Sequence, residues 1–170
     1  MTDTEMRIVQ LISTGVACLM LAVSWRSRPF GRFMFIALFA WAAQLNVRTA
    51  LTAPEVYLEY APLAWSSWYR DIILGPFARH ITPVVAAIGV GQAAIAVGVS
   101  LRGRAAALGL IAAVVFLLAV APLGIGSGFP ATVIMALAAL KLLDAPYATT
   151  LWQEAAAWVR IAAGRLTVTH

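Results

Sequence analysis

The sequence predicts an all-α integral membrane protein, a bundle of five transmembrane helices, and three observations lead to that prediction. Of the 170 residues, 62% are hydrophobic and only 11% are charged, whereas soluble domains average about 45–50% apolar and about 25% charged residues. Five apolar runs are separated by three short turns, basic or containing glycine and proline, and by one long loop, residues 53–80. The basic residues concentrate in alternate turns. This composition excludes a soluble globule, a disordered chain and a nucleic-acid-binding module, so the expected surroundings are a lipid bilayer and no nucleic acid.

The five apolar runs occupy the chain in order and form a single membrane domain over residues 1–170. Asp3 and Glu5 precede the first run, which argues against a cleavable signal peptide and for a retained span. Pro146 marks the end of the fifth run. The alternative is four spans, with the first run lying elsewhere. The predicted spans are residues 8–25, 33–52, 81–101, 105–125 and 131–145.

The distribution of charge predicts the orientation of the chain. With five spans, the turns after spans one and three share one side with the C-terminal tail, and that side carries eight basic and two acidic residues, a net charge of +6. The opposite side carries four basic and five acidic residues, a net charge of −1. Cytoplasmic loops are enriched in Lys and Arg. We therefore expect a multi-pass protein of the cytoplasmic membrane with its N-terminus outside and its C-terminus in the cytoplasm.

Residues 147–166 differ from the spans because polar residues interrupt their apolar pattern. Trp152 and Trp158 recur with alanines at roughly helical spacing. This pattern is typical of a helix that lies flat in the membrane interface with its tryptophans at headgroup depth. The alternative is a disordered tail.

Polar residues within the spans are the first candidates for a functional site, because lipid makes them costly. Asn46 and Arg48 lie near the end of span two, where Arg48 shares a helix face with Gln44, and Gln92 lies halfway along span three. We expect Arg48 to pair with an acidic residue of the long loop, residues 53–80, and this loop to cover a ligand cavity floored by Asn46 and Gln92. The loop contributes the remaining candidate ligand-binding residues: Glu55, Glu59, Tyr69, Asp71 and His80.

Structural roles explain the same residues without a ligand. Asn46 and Gln92 would then join two helices by a hydrogen bond, and Arg48 would extend to the headgroups. The tryptophans and tyrosines of residues 53–80 would form an aromatic belt at the interface.

The sequence contains no pattern for a metal centre or an established catalytic site. Cys18 is the only cysteine, so an internal disulfide and a CxxC motif are impossible. His80 and His170 are ninety residues apart, which gives no zinc or di-iron spacing. No Ser-His-Asp, HExxH or P-loop pattern occurs. The residues themselves therefore indicate no metal or cofactor and name no reaction.

Small residues predict where helices approach one another. The pairs Ala94/Gly98 and Ala105/Gly109, together with Ala87/Gly91, have the small-xxx-small spacing that lets helix backbones pack closely in lipid. The glycines of residues 124–128 are interpreted as a turn between two spans rather than as a channel filter.

The order of elements between residues 32 and 145 resembles the DoxX-like membrane proteins, a four-helix family. The matching stretches are residues 32–46, residues 83–98 with Gln92, and Arg102-Gly-Arg104-Ala-Ala. The family includes a small subunit of a thiosulfate:quinone oxidoreductase. The resemblance implies a four-helix bundle, to which this chain adds an N-terminal span, and a quinone as the only candidate cofactor. Gln92 stands where the family is expected to have an acidic residue.

Two functions remain open at this point. The first is a small non-catalytic accessory or anchoring subunit of a membrane complex, redox- or quinone-linked, with other membrane subunits or a second copy as partners. The alternative is a binder or carrier of a small lipophilic or anionic ligand in an outward-facing cavity between spans two and three. A channel or transporter is disfavoured because five spans with few intramembrane charges contain no inverted repeat.

Overall fold

The computed structural model describes residues 3–144 and 147–166, and its regular elements are helical. Seven α-helices are present in this part of the chain: α1 Asp3–Arg26, α2 Arg28–Thr52, α3 Ser67–Ile72, α4 Ile81–Ser100, α5 Gly103–Val120, α6 Ala131–Leu142 and α7 Leu151–Leu166. Two 3-10 segments, Pro54–Leu63 and Ala121–Ser127, and a π-helical turn, Ile73–Phe77, connect them.

Four of the described helices are long and apolar enough to cross a membrane. They cover Arg7–Arg26, Arg28–Thr52, Ile81–Ser100 and Gly103–Ser127. Their outward faces are apolar and exposed, as at Leu11, Val90 and Leu108. A contiguous apolar exterior of this kind marks a surface that meets lipid. The protein is therefore a multi-pass membrane protein.

Five of the helices form a closed ring in which each packs mainly on two neighbours. The order around the ring is α1, α2, α4, α5, α6, and α6 returns to α1. Large side chains at the centre are buried almost completely, among them Phe35, Phe39, Val99, Leu110 and Leu142. The rings of Phe39 and Phe116 meet edge to face with centroids 5.7 Å apart.

Glycines set the closest helix contacts of the ring. A Cβ on Gly98 would lie 3.1 Å from the Gly109 Cα, so α4 and α5 cross backbone to backbone there. A Cβ on Gly89 would lie 2.6 Å from Val47 Cγ2, which shows a similar approach of α2 to α4. The close packing predicted at the Gly98 and Gly109 pairs is therefore confirmed, whereas Gly91 faces outward with nothing within 4 Å of an added Cβ.

Three helix starts differ from the prediction by four residues or more. Helix α1 begins at Asp3 rather than at residue 8. Helix α2 begins at Arg28 rather than near residue 33, because Pro29 lies in its first turn, where proline is tolerated. Helix α7 begins at Leu151 rather than at residue 147. Thr150 and Gln153 cap it reciprocally: each backbone N–H donates to the other residue's side-chain oxygen, at 2.9 and 3.3 Å.

The fifth predicted span is represented by α6, which is short. Its 12 residues rise about 18 Å, against a hydrocarbon core of about 30 Å. The chain before α6 contacts the end of the bundle where residues 53–80 lie, since Phe129 accepts a hydrogen bond from Gln10 and its ring lies 4.1 Å from that of Trp65. The chain after α6 contacts the opposite end, where Gly103 N donates to Tyr147 O at 2.7 Å.

Residues 53–80, expected as a long loop, are largely helical and fold back across one end of the bundle. The segment is held at its middle by a backbone hydrogen bond from Trp65 N to Pro122 O, 3.1 Å long. It is held further along by the Tyr69 hydroxyl, which donates to Ala119 O at 2.8 Å. The predicted cover over the bundle is confirmed. We call this the loop end of the bundle and the opposite one the basic end.

Candidate functional site: a covered cavity at the loop end

Two amide side chains, one half-buried and one buried, join α2 to α4 just below the loop end. Asn46 Nδ2 donates to Gln92 Oε1 at 2.8 Å. The two side chains reach one another because Gly89, one turn before Gln92, brings the helices together. Only 3% of Gln92 is exposed, so each unpaired polar atom there would carry a substantial cost. The interhelical hydrogen bond predicted for Asn46 and Gln92 is confirmed.

Tyr57 extends this pair into a relay of three polar side chains. It lies on the 3-10 segment Pro54–Leu63, and its hydroxyl donates to Asn46 Oδ1 at 2.9 Å. Burial raises the pKa of Tyr57 above its ordinary value, so the phenol keeps its proton at neutral pH. Burial likewise raises the pKa of the neighbouring Tyr60. Both hydroxyls are therefore neutral hydrogen-bonding groups.

The relay forms one wall of a cavity of about 390 Å³. Residues from α2, α4, α5 and both 3-10 segments surround it, and the segment 53–80 covers it. No Asp, Glu, Lys or Arg is among the described residues that line it. Besides the relay and Ser127, its wall is mainly aromatic and aliphatic, with Tyr60, Tyr69, Phe77, Ile88 and Phe116 as its larger members.

The covering segment packs against the glycine-containing turn that follows α5. Gly124 has a φ of +71°, and a Cβ there would lie 2.4 Å from Leu63 O. A Cβ on Gly126 would lie 2.4 Å from the ring of Tyr60. These glycines therefore allow residues 53–80 to pack closely against the bundle. This agrees with the interpretation of residues 124–128 as a turn.

The charged candidates predicted from sequence lie outside the cavity. Glu55, Glu59, Asp71 and His80 are exposed and do not line it, and His80 Nδ1 lies 3.3 Å from Pro76 O. His170 falls outside the described residues. Of the eight predicted residues, the structure brings together Asn46, Gln92 and Tyr69.

The predicted ion pair of Arg48 is not formed among the described residues. Arg48 is exposed, and its side chain has no acidic partner in the part of the chain that the structure describes. The reason is helical geometry, since Arg48 follows Asn46 by two residues and so lies about 200° around α2. Gln44, on the same face as Arg48, is exposed as well.

A second polar centre lies at the basic end around Arg32, a residue that the predicted bounds of the first two spans leave in the turn between them. Arg32 is 0% exposed. Its guanidinium donates from Nε and Nη2 to Val99 O at 3.1 and 2.9 Å, and from Nη2 to Leu101 O. From Nη1 it donates to Thr149 O at 3.4 Å and to Glu154 Oε1 at 3.0 Å.

Arg32 thereby joins α2, the end of α4 and the start of α7. Its guanidinium also lies 4.5 Å from the centre of the Tyr147 ring, a cation–π contact. Burial raises the pKa of Tyr147. The sequence did contain a signal for this placement, because Arg32 precedes Phe35 and Phe39 at helical spacing and so shares the buried face of α2.

A shallow groove runs down the outside of α4 and α5 and adjoins the cavity. It encloses about 680 Å³, and Ile88 and Phe116 line both spaces. Along its length it is formed mainly by small residues: Gly91, Ala94, Gly98, Ala105 and Ala112.

Comparison with known proteins finds no matching family model, no similar curated protein and no similar solved structure. The resemblance to DoxX-like proteins therefore stays a prediction. Within the described part of the chain, no group of three or more His, Cys, Asp or Glu side chains is placed to hold a metal ion.

Proposed function

We propose that this membrane protein binds or carries a small, neutral, lipophilic ligand in the cavity at the loop end. The observation that carries the proposal is the relay Tyr57–Asn46–Gln92, a connected polar group in a covered cavity whose wall is otherwise mainly apolar. Ligand sites combine such apolar walls with a few placed polar groups, in volumes of about 300–1,000 Å³. A purely structural hydrogen bond between two helices needs no cavity beside it.

The absence of charge among the described lining residues favours a neutral ligand over the anionic one that the sequence left open. An ion moved from water into apolar surroundings costs many kcal/mol unless it is paired. Arg48, the residue expected to orient an anion, is exposed and outside the lining. The ligand class is therefore an apolar body with a hydrogen-bonding group.

The groove between α4 and α5 supports entry from the bilayer rather than from water. Ile88 and Phe116 separate the cavity from this lipid-facing groove and line both. A lipophilic molecule is concentrated in lipid, so a lateral opening is the shorter route for it. The covering segment would then exclude water.

The orientation and the fifth crossing are part of this proposal. The charge difference between the ends supports a cytoplasmic basic end and an outward-facing cavity in the cytoplasmic membrane. Helix α6 would complete a fifth crossing, since the chain on either side of it contacts opposite ends. Helix α7 would lie in the inner interface, where Trp152 is 65% exposed. The side chain of Trp158 lies outside the described part.

Blocking the opening of the cavity is expected to abolish ligand binding while leaving the fold intact. The probe is benzophenone, a neutral diaryl ketone that photolabels nearby C–H bonds. We predict that Ile88→Trp lowers its saturable labelling of the cavity residues at least about tenfold. Ile88 is 38% exposed, so a larger side chain has room to turn into the opening. The measurement is peptide mass spectrometry of protein irradiated in lipid nanodiscs.

The matched control for this experiment is Val90→Trp on the same helix. Val90 is 67% exposed and lines none of the described cavities, so its labelling should equal that of the unmodified protein. Unsaturable labelling spread over the lipid-facing surface, in place of the cavity residues, would contradict a binding site.

An accessory or anchoring subunit is the second candidate, and the small-residue groove on α4 and α5 favours it. Small residues on an exposed helix face allow close docking of another transmembrane helix. The partner would be another membrane subunit or a second copy of this chain. Any link to redox or quinone chemistry rests on the DoxX-like resemblance alone.

Filling this groove is expected to disrupt such a complex without affecting the monomer. Gly91→Leu should abolish a larger species on native gels of mildly solubilised membranes, because nothing in the monomer lies within 4 Å of an added Cβ. Ala93→Leu, exposed and outside the groove lining, is the control. If both variants migrate like the unmodified protein, α4 and α5 are not the docking face.

A further inference from the structure

We propose that Gln92 presents its amide N–H groups to the cavity, so that the site selects ligands by a hydrogen-bond acceptor such as a carbonyl oxygen. The inference rests on the proposed function and narrows it to one ligand class. It follows from the direction of the hydrogen bonds in the relay. Tyr57 donates at one end of the relay, and the Nε2 group of Gln92 is left over as a donor at the other end.

In the structure the hydrogen bonds of the relay run in one direction, from Tyr57 through Asn46 to Gln92. The Tyr57 hydroxyl carries one proton, and the nearer of its two acceptors is Asn46 Oδ1 at 2.9 Å, against 3.4 Å for Asn46 O. With its oxygen occupied in this way, the amide of Asn46 turns its Nδ2 toward Gln92. Gln92 must then accept through Oε1, which leaves its Nε2 as the free end of the relay.

The free Nε2 of Gln92 lies at the cavity. Gln92 lines the cavity, and its Nε2 donates to no protein atom in the described part of the chain. It is also not one of the fully buried side-chain N or O atoms that lack a hydrogen-bond partner. An amide N–H beside an apolar space gains most from a ligand that brings an acceptor, while Ile88, Phe77 and Phe116 contact the apolar body.

The reversed relay makes the opposite selection, which renders the proposal testable. If both amides were turned over, Asn46 would offer Nδ2 to the Tyr57 oxygen, and Gln92 would present Oε1 to the cavity. The site would then require a ligand donor, such as a hydroxyl group. A ketone, an alcohol and a hydrocarbon with the same diphenyl frame therefore distinguish the two directions.

The test is competition for benzophenone photolabelling of the cavity residues in nanodiscs, with unlabelled benzophenone, diphenylmethanol and diphenylmethane as competitors. We expect the ketone to compete about tenfold better than the hydrocarbon in the unmodified protein, the value of one hydrogen bond. In Gln92→Met this ratio should fall to about one. Because partition into lipid is the same for both proteins, the change in the ratio reports the side chain alone.

Two further variants keep the test decisive. Gln44→Met removes an exposed glutamine of α2 that does not line the cavity, and it should leave the ratio unchanged. If Gln92→Met fails to fold, the double variant Asn46→Leu with Gln92→Met takes its place. It replaces both partners by apolar groups, an exchange that is often nearly neutral for stability. Its ketone-to-hydrocarbon competition ratio should also be about one.

The outcomes separate this inference from the proposed function. Failure to find saturable labelling of cavity residues in the unmodified protein overturns both. Saturable labelling with the same ketone-to-hydrocarbon ratio in Gln92→Met overturns only the role of Gln92. Stronger competition by the alcohol than by the ketone overturns the donor direction and indicates the reversed relay.

Discussion

Replacing Gly109 with alanine is expected to destabilise the bundle by about 3 kcal/mol, because the added methyl group would overlap backbone atoms of α4. A Cβ on Gly109 would lie 2.6 Å from Val99 N and 2.7 Å from Gly98 C. Overpacking a tight contact typically costs about 1–3 kcal/mol, occasionally more, and here no flexible side chain is available to move aside. Thermal unfolding at fixed detergent composition measures the loss.

The control is the same substitution where α4 faces lipid. Gly91→Ala adds a methyl group into open space, so it should be neutral or stabilise α4 by up to about 1 kcal/mol through helix propensity. Equal unfolding temperatures for Gly109→Ala and Gly91→Ala would show that α4 and α5 do not cross at Gly98 and Gly109.

This crossing illustrates which features of the fold could be predicted from the sequence. Small residues at a spacing of four are a local signal, and their direct consequence is the close backbone crossing of α4 and α5. Long apolar runs are equally local, so the starts and ends of the four long helices agree with prediction to within about five residues. Helix α6 is harder to assign, because its 12 residues depend on neighbouring helices for burial.

The two arginines of α2 show where prediction from sequence failed. The sequence predicts an acidic partner for Arg48, whereas the predicted bounds of the first two spans leave Arg32 in the basic turn between them. In the structure Arg48 is exposed and Arg32 is fully buried. Burial depends on the helix face, and Arg32 shares the face of Phe35 and Phe39 that meets the other helices.

The candidate site was predictable in part for the same reason. Asn46 and Gln92 are uncharged polar residues within apolar runs, so their hydrogen bond has a sequence signal. Tyr57 was one of several aromatic residues in the segment 53–80, and nothing local distinguishes it from Tyr60 or Trp65. Its hydrogen bond to Asn46 depends on how that segment folds back, which is tertiary information.

Replacing Arg32 with methionine is expected to have the largest effect on stability, a loss of about 3–5 kcal/mol. Removing one partner of a buried ion pair leaves the other uncompensated. The loss here also includes hydrogen bonds to Val99 O, Leu101 O and Thr149 O. Arg48→Met on the same helix is the matched control, and because Arg48 is exposed and has no acidic partner among the described residues, it should change stability by less than about 0.5 kcal/mol.

The same substitution should also release α7, and this readout distinguishes a specific anchor from general packing. Glu154 lies in the first turn of α7 and pairs with Arg32 at 3.0 Å. Arg32→Met should therefore make residues 147–150 cleavable by added protease under native conditions. Glu154→Gln, which keeps the hydrogen bonds of Arg32 to Val99 and Leu101 but removes the opposite charge, should give the same cleavage with a smaller loss, about 1–3 kcal/mol. Protection of residues 147–150 in both variants would mean that α7 is held by its packing on α2, where Leu151 is buried. Arg32 would then stabilise only the turn between α4 and α5.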